Sequence, residues 1–243
     1  MNAYLLAAGN GSRLGKLTLD TPKCLLPVGG KPILEWWLDA VFATEEFRKV
    51  YVNAHHLADH VERWIWRYAE KNDVRVEIID ERSGLLGTGG TLFWHGDSSD
   101  EFMAVYTDTF SRRAMGKLFE ILDIWWTEPD ETLAGLLAFD SPKDGSSGSI
   151  QTNKDGEVVE FREKADREDA WSWAGVMFGR KEFFSHIRQG DIDLARDVFP
   201  RLNGRMRVLA KVDAYDIGRG AEHYERFNRE FDFHGFEKSA LQA

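Results

Sequence analysis

The first half of the chain alternates between two hydrophobic periods. Apolar runs of strand length recur at Ala3 to Ala8 (AYLLAA), Lys49 to Asn53 (KVYVN), Val74 to Ile79 and Phe102 to Tyr106 (FMAVY). Between them, apolar residues return at the three-to-four spacing of one helix face. Pro32 suits a helix start, with Ile33, Leu34, Trp37, Leu38, Val41 and Phe42 following at that spacing. Leu57, Val61, Trp64, Ile65 and Tyr68 make a second such face, and Thr88 to Trp94 predicts a short helix after glycines. Strand, helix, strand, helix, strand in this order predicts an α/β fold, a mostly parallel sheet with helices on both faces.

The second half reads differently. Thr132 to Phe139 predicts a strand, SPKDGSSGS a loop, and Ser149 to Thr152 with Glu157 to Glu163 a hairpin closed at Asp155-Gly156. A strand over Trp171 to Phe178, a helix over Leu194 to Leu202, a strand over Arg207 to Ala214 and a closing helix over Ala221 to Phe231 follow. No repeat or linker interrupts the chain.

Charge narrows the partners. A formal net charge of −10 opposes nucleic acid or an anionic membrane as a general partner, so an anionic ligand must be held by a local positive cluster. The start, MNAYLLAAG, lacks the basic segment of a signal peptide, and no apolar run approaches the ~18 residues of a membrane span. Cys24 is the single cysteine, so no intramolecular disulfide forms. A cytoplasmic setting is the expectation.

The candidate chemistry begins at AAGNGSRLGK, an apolar strand running into glycines, a geometry that frees backbone N–H groups for phosphate. Leu14 stands where a dinucleotide fold needs its third glycine. Asn10 and Leu17 break the ATPase-type phosphate loop at both ends. What remains is Ala8-Gly9-Asn10-Gly11-Ser12-Arg13-Leu14, then Thr21-Pro22-Lys23, Leu26-Pro27-Val28 and Gly30-Lys31-Pro32. Further on stand Leu86-Gly87-Thr88-Gly89-Gly90, Tyr106-Thr107-Asp108, Gly156 to Lys164 (GEVVEFREK), Ala174-Gly175-Val176 and Asp216-Ile217-Gly218. This ordered set resembles the signature of the sugar-1-phosphate nucleotidyltransferases, also called nucleotide-sugar pyrophosphorylases, and among them the short mannose- or heptose-1-phosphate guanylyltransferases.

The resemblance covers nearly the whole chain and implies one nucleotidyltransferase domain over 1–243, with a Rossmann-like nucleotide-binding half to about residue 130 and a hairpin-rich acceptor-binding half from about 131. It implies transfer of a nucleotidyl group from GTP, UTP or CTP to a sugar 1-phosphate, with release of pyrophosphate. Arg13, Lys23 and Asp108 would be the catalytic residues. Ala8, Gly9, Asn10, Gly11, Ser12, Arg82, Gly87 and Thr88 would bind the nucleotide. Gly148, Glu163, Lys164, Trp173 and Gly175 would bind the acceptor, and Asp108 and Asp216 would ligate Mg²⁺. A homodimer is compatible with the resemblance.

Four positions leave the pattern: Lys16, Thr107, Ala165 and Trp173. Trp173 stands where a sugar-hydroxyl contact is expected, and a hydrophobic platform there would suit a larger acceptor or a non-sugar phosphate such as phosphocholine. A noncatalytic ligand-sensing homologue is the other alternative. Glu81 and Arg82 precede the loop that closes on the base and are candidates for reading its edge. His56 and His60 are four apart but lack a third ligand and read as surface residues. Cys24 reads as packed, and Trp36, Trp37, Trp64, Trp66, Trp125 and Trp126 as helix residues packed on the sheet.

Overall fold

The computed structural model describes residues 1–96, 99–140, 148–163 and 170–231. Its strands, in chain order, are β1 (Asn2–Leu6), β2 (Pro27–Val28), β3 (Lys31–Pro32), β4 (Lys49–Ala54), β5 (Glu77–Asp80), β6 (Glu101–Tyr106) and β7 (Thr109–Phe110). The later ones are β8 (Ala134–Asp140), β9 (Ser149–Thr152), β10 (Val158–Arg162), β11 (Trp171–Arg180), β12 (Met206–Lys211) and β13 (Tyr215–Asp216). The helices are α1 (Ile33–Ala43), α2 (Ala58–Asn72), α3 (Gly87–His95), α4 (Arg112–Gly116), α5 (Leu118–Trp126) and α6 (Ala221–Glu230).

One mixed sheet organises the molecule, in the order β10-β9-β11-β6-β1-β4-β5, with β8 on β11 and β12 on β8. β5, β4, β1 and β6 run parallel. Their apolar runs are covered on both faces, as parallel strands require. Along β1, Ala3 and Leu5 enter one core with α1, α2, α5 and α6, while Tyr4 and Leu6 enter a second with Leu92, Phe183 and Phe199. β6 divides the same way, Met103 and Val105 against Phe102 and Ala104. This period of two is what sends each strand's side chains to opposite layers.

β11 is antiparallel to β6 and joins the parallel strands to the hairpin. Its first residues pair with β9, its last with β6, and its register on β8 shifts between Trp173 and Met177. Gly175, at φ 72°, sits inside that bulge. The hairpin forms as its turn residues predict. Gly156 takes φ 81°, and the Asn153 Oδ1 accepts from the N–H groups of Asp155 and Glu157. Of the loop expected over 141–149, residues 141–147 lie outside the described residues.

Several expectations need correction. The strand expected over Val74 to Ile79 begins only at Glu77, because α2 ends in the left-handed Asp73 (φ 52°) and the chain must first reach the β4 edge. The helix expected over Leu194 to Leu202 is two short wound segments, Leu194–Val198 and Phe199–Leu202. Pro200 lacks the N–H a continuous helix needs and instead sits in the first turn of the second segment, where that N–H is not required. Trp37 and Trp125 are fully buried, but Trp66 is 61% exposed and Trp126 40%. Each follows a core-facing neighbour, Ile65 or Trp125, by one position, which rotates it about 100° off the buried stripe.

Candidate active site

A cleft of about 240 Å³ opens at the carboxyl ends of β1, β4 and β6. In parallel α/β sheets ligands bind at that edge. Leu6 to Gly9 form its floor, Lys23 and Tyr106 to Asp108 one side, Leu85, Gly87 and Thr88 another, and Ile192 and Asp193 close it from the second half of the chain.

The glycine turn leaves β1 at Ala7. The N–H groups of Ala7 and Ala8 do not face the cleft unpaired; both donate to the Asn53 Oδ1, at 2.5 and 3.2 Å. Gly9, Asn10, Ser12 and Arg13 are exposed beyond them. Gly11 is left-handed (φ 65°), and a Cβ there would lie 2.7 Å from the Thr18 Cγ2, so the turn needs glycine at this position. The Thr18 hydroxyl donates to the Gly11 carbonyl at 3.0 Å, and His56 Nε2 lies 2.9 Å from the Thr18 carbonyl. His56 precedes α2, whose first residue is Ala58, so it shares no helix face with His60.

Beside this turn the structure gathers charge from three distant segments. Lys23, on the short turn Lys23–Leu25, pairs its ammonium with the Asp108 Oδ2, and the two side chains are 12% and 26% exposed. Asp108 follows β6. The β7–β13 ladder places Asp216 opposite Thr109, and the Ile217 N–H donates to the Asp108 carbonyl at 2.9 Å. Asp216 accepts from the Gly218 N–H at 2.7 Å. Gly218 is packed against the Lys23 ammonium, where a Cβ would collide with it. Burial pushes the Asp216 carboxyl up to about 6, the Asp108 charge pushes it the same way, and Lys23 and Arg13 pull against them. Arg13, Lys23, Asp108 and Asp216 thus share one electrostatic neighbourhood.

Among the described residues no group of three or more His, Cys, Asp or Glu side chains gathers as a metal site. The hard-oxygen set beside the β7–β13 ladder is the pair of carboxylates, Asp108 and Asp216. That set suits Mg²⁺, which binds through one or two carboxylates and takes its other ligands from phosphate and water. Cys24, beside Lys23, is buried, and burial pushes its thiol up to about 12, which keeps it un-ionised and inert.

The opposite wall is the loop into α3. Gly87 takes φ 75°, and a Cβ there would strike the Ile192 carbonyl. The Gly89 N–H donates to that carbonyl at 2.9 Å. The Thr88 hydroxyl lies 2.7 Å from the Tyr106 hydroxyl and accepts from the Leu194 N–H at 3.1 Å, so it pins the two halves of the chain together. Arg82 is not brought to the cleft. Its guanidinium pairs with Asp59, Glu62 and Asp80. Glu81 is buried and faces inward, toward Asn53, Thr91 and the Leu86 N–H, so it does not read a base edge.

The described residues expected to bind the acceptor lie outside the cleft lining, and among them the Gly148 carbonyl accepts from the Trp173 N–H at 2.9 Å. A Cβ on Gly148 would lie 2.7 Å from Phe161 and 3.1 Å from the Glu163 Oε2. A Cβ on Gly175 would lie 2.9 Å from the Thr109 Oγ1. Trp173 is not an exposed platform. It is 8% exposed, donates its indole N–H to the Val176 carbonyl at 2.9 Å, and meets Tyr106 and Phe199 edge-on at 4.7 and 4.9 Å. The alternation of β11 puts Trp173 on the same buried face as Met177, with Ala174 and Val176 on the other. Lys164 and Ala165 lie outside the described residues.

Sequence reasoning misses Asn53, Ile192 and Asp193 as cleft residues. Asn53 carries a signal, a polar residue closing an apolar strand. Ile192 and Asp193 carry none, since the fold alone brings that segment to the cleft.

The nucleotidyl transferase family profile matches residues 2–199. The chain is 28% identical to a UTP–glucose-1-phosphate uridylyltransferase of Synechocystis sp., over 93% of this chain and 62% of that protein. It is 26% identical to an N-acetylmuramate alpha-1-phosphate uridylyltransferase of Neisseria meningitidis, over 85% of this chain and 86% of that protein. HddC from Yersinia pseudotuberculosis, solved in complex with GMP-PN, shares the fold with a TM-score of 0.70 at 20% identity, over 95% of this chain and 99% of that one. Of several curated relatives, the Synechocystis protein among them, the chain spans only 45% to 62% of the length.

Proposed function

The chain belongs to the nucleotidyl transferase family, and on that premise we propose that it transfers a nucleotidyl group from a nucleoside triphosphate to a sugar 1-phosphate, releasing pyrophosphate. The observation that carries this reading is the convergence of Lys23, Asp108 and Asp216 beside the glycine turn. An oxygen of the sugar phosphate attacks the α-phosphorus, a new P–O bond forms, and the bond to the β-phosphate breaks. Such a displacement asks the protein for positioning and charge rather than a nucleophile.

The N–H groups of Gly9, Asn10 and Gly11 are the ones left to face the triphosphate, since those of Ala7 and Ala8 are already taken. Arg13 neutralises the leaving pyrophosphate, and Lys23 the α-phosphate. Asp108 and Asp216 would hold Mg²⁺, which supplies further neutralisation of the triphosphate. Gly87 and Thr88 line the base, and Glu163 takes sugar hydroxyls. The relatives named for uridylyl transfer and the fold neighbour holding GMP-PN support UTP or GTP as the donor.

The test is a panel of GTP, UTP, CTP and dTTP crossed with glucose, mannose and N-acetylmuramate 1-phosphates, scored by pyrophosphate release with Mg²⁺ and with EDTA. Release from one pair, abolished by EDTA, is expected. No release from any pair would overturn the reading in favour of a noncatalytic ligand sensor.

A further inference from the structure

We infer that Asn53 and Glu81 form a positioning pair that ties the base-side loop to the glycine turn and so sets nucleotide affinity; the inference rests on the transferase reading above. Both side chains are buried, 3% and 1% exposed. Asn53 lies near the end of β4 and lines the cleft. Its Oδ1 accepts from Ala7 and Ala8, and its Nδ2 donates to the Glu81 Oε1 at 2.9 Å and the Thr91 Oγ1 at 3.1 Å. The Glu81 Oε1 also accepts from the Thr91 hydroxyl at 2.6 Å, and its Oε2 accepts from the Leu86 N–H at 3.1 Å.

One amide and one carboxylate therefore join the glycine turn, β4, α3 and the loop at Leu86. The partners of Glu81 are an amide, a hydroxyl and a backbone N–H, so its burial is compensated by hydrogen bonds. The orientation of each group is forced. Asn53 must turn its oxygen to Ala7 and Ala8, and Glu81 must offer acceptors at both ends. The bonds terminate on the backbone flanking Gly9 and Gly87, two strips of main chain that both line the cleft proposed for the nucleotide.

This arrangement permits a swap. In Glu81→Gln, the new amide presents a donor either to the Leu86 N–H or to the Asn53 Nδ2, and one end breaks. In Asn53→Asp, two carboxylates face each other. In the double variant the carboxylate at position 53 still accepts from Ala7 and Ala8. The amide at position 81 then donates to that carboxylate and to Thr91, and its oxygen accepts from Leu86, so each bond has a donor and an acceptor again.

The experiment measures binding of GTP, UTP, CTP and dTTP by calorimetry, KM and kcat for both substrates, and melting temperature, for wild type, Glu81→Gln, Asn53→Asp and the double variant. The single variants are expected to bind the preferred nucleotide about tenfold more weakly, as for a buried hydrogen bond broken, with acceptor KM within about twofold. The double variant should recover to within about threefold of wild type. Thr91→Val, which removes one hydroxyl and leaves the amide–carboxylate bond, covers the case in which a single variant fails to fold, with about threefold weaker binding expected. Nucleotide affinity unchanged in the singles, no recovery in the double, or an equal loss in acceptor KM would overturn the pairing. Wild type that binds none of GTP, UTP, CTP and dTTP would instead overturn the transferase reading, and with it the role given to the pair.

Discussion

The wall of the cleft and the wall of the hairpin layer beside it are built from different material. In the cleft, main chain at the ends of parallel strands forms the surface, held by buried polar atoms of Asn53 and Glu81 and by the Thr88 hydroxyl. In the hairpin layer, Phe161, Trp173 and Phe199 pack edge to face against one another, outside the cleft lining. The first wall depends on where single donors and acceptors point, the second on volume. Substitutions should therefore separate, with rate or affinity lost on one side and stability on the other.

The largest effect is expected at Asp108. Asp108→Asn should lower kcat by about 10²–10³, the usual cost of one preorganised group at the reacting phosphate, with little change in melting temperature. A fall in stability that tracks the fall in rate would erase the contrast between the walls. Next comes Trp173→Phe, which leaves a cavity and removes the indole donor to the Val176 carbonyl. It should cost about 1–3 kcal/mol in denaturant unfolding while nucleotide affinity holds.

The smallest effect is a gain. The Asp216 carboxyl is raised to about 6 from its ordinary 3.8, so the folded state binds that proton more tightly than the unfolded state. Its contribution to stability is present below about pH 4 and is lost as pH rises through about 6. Asp216→Asn should then stabilise the protein by about 1–2 kcal/mol at about pH 7.5 and by nothing measurable at about pH 4, while activity falls. Equal stability differences at the two pH values would contradict this.

The same contrast explains what can be read from the sequence. The glycine turn is legible from its own geometry, and Lys23, Asp108, Asp216 and the Gly87 loop are legible through the ordered motifs that resemble the nucleotidyltransferase signature. The place of Arg82 before that loop points it at the cleft, but three nearby carboxylates claim its guanidinium. The motif position of Trp173 suggests an exposed platform, but strand alternation puts the ring on the buried Met177 face, and its indole N–H is taken by the Val176 carbonyl. The Asn53–Glu81 pair is not legible, because it depends on the parallel register that brings the ends of β4 and β5 level.

The most direct test of the central claim is a crystal of the complex with Mn²⁺ and a non-hydrolysable analogue of the preferred nucleotide, with the metal located by anomalous scattering. The account predicts a peak ligated by both Asp108 and Asp216 and by phosphate. A peak that touches neither carboxylate, or a triphosphate bound away from the glycine turn, would contradict it.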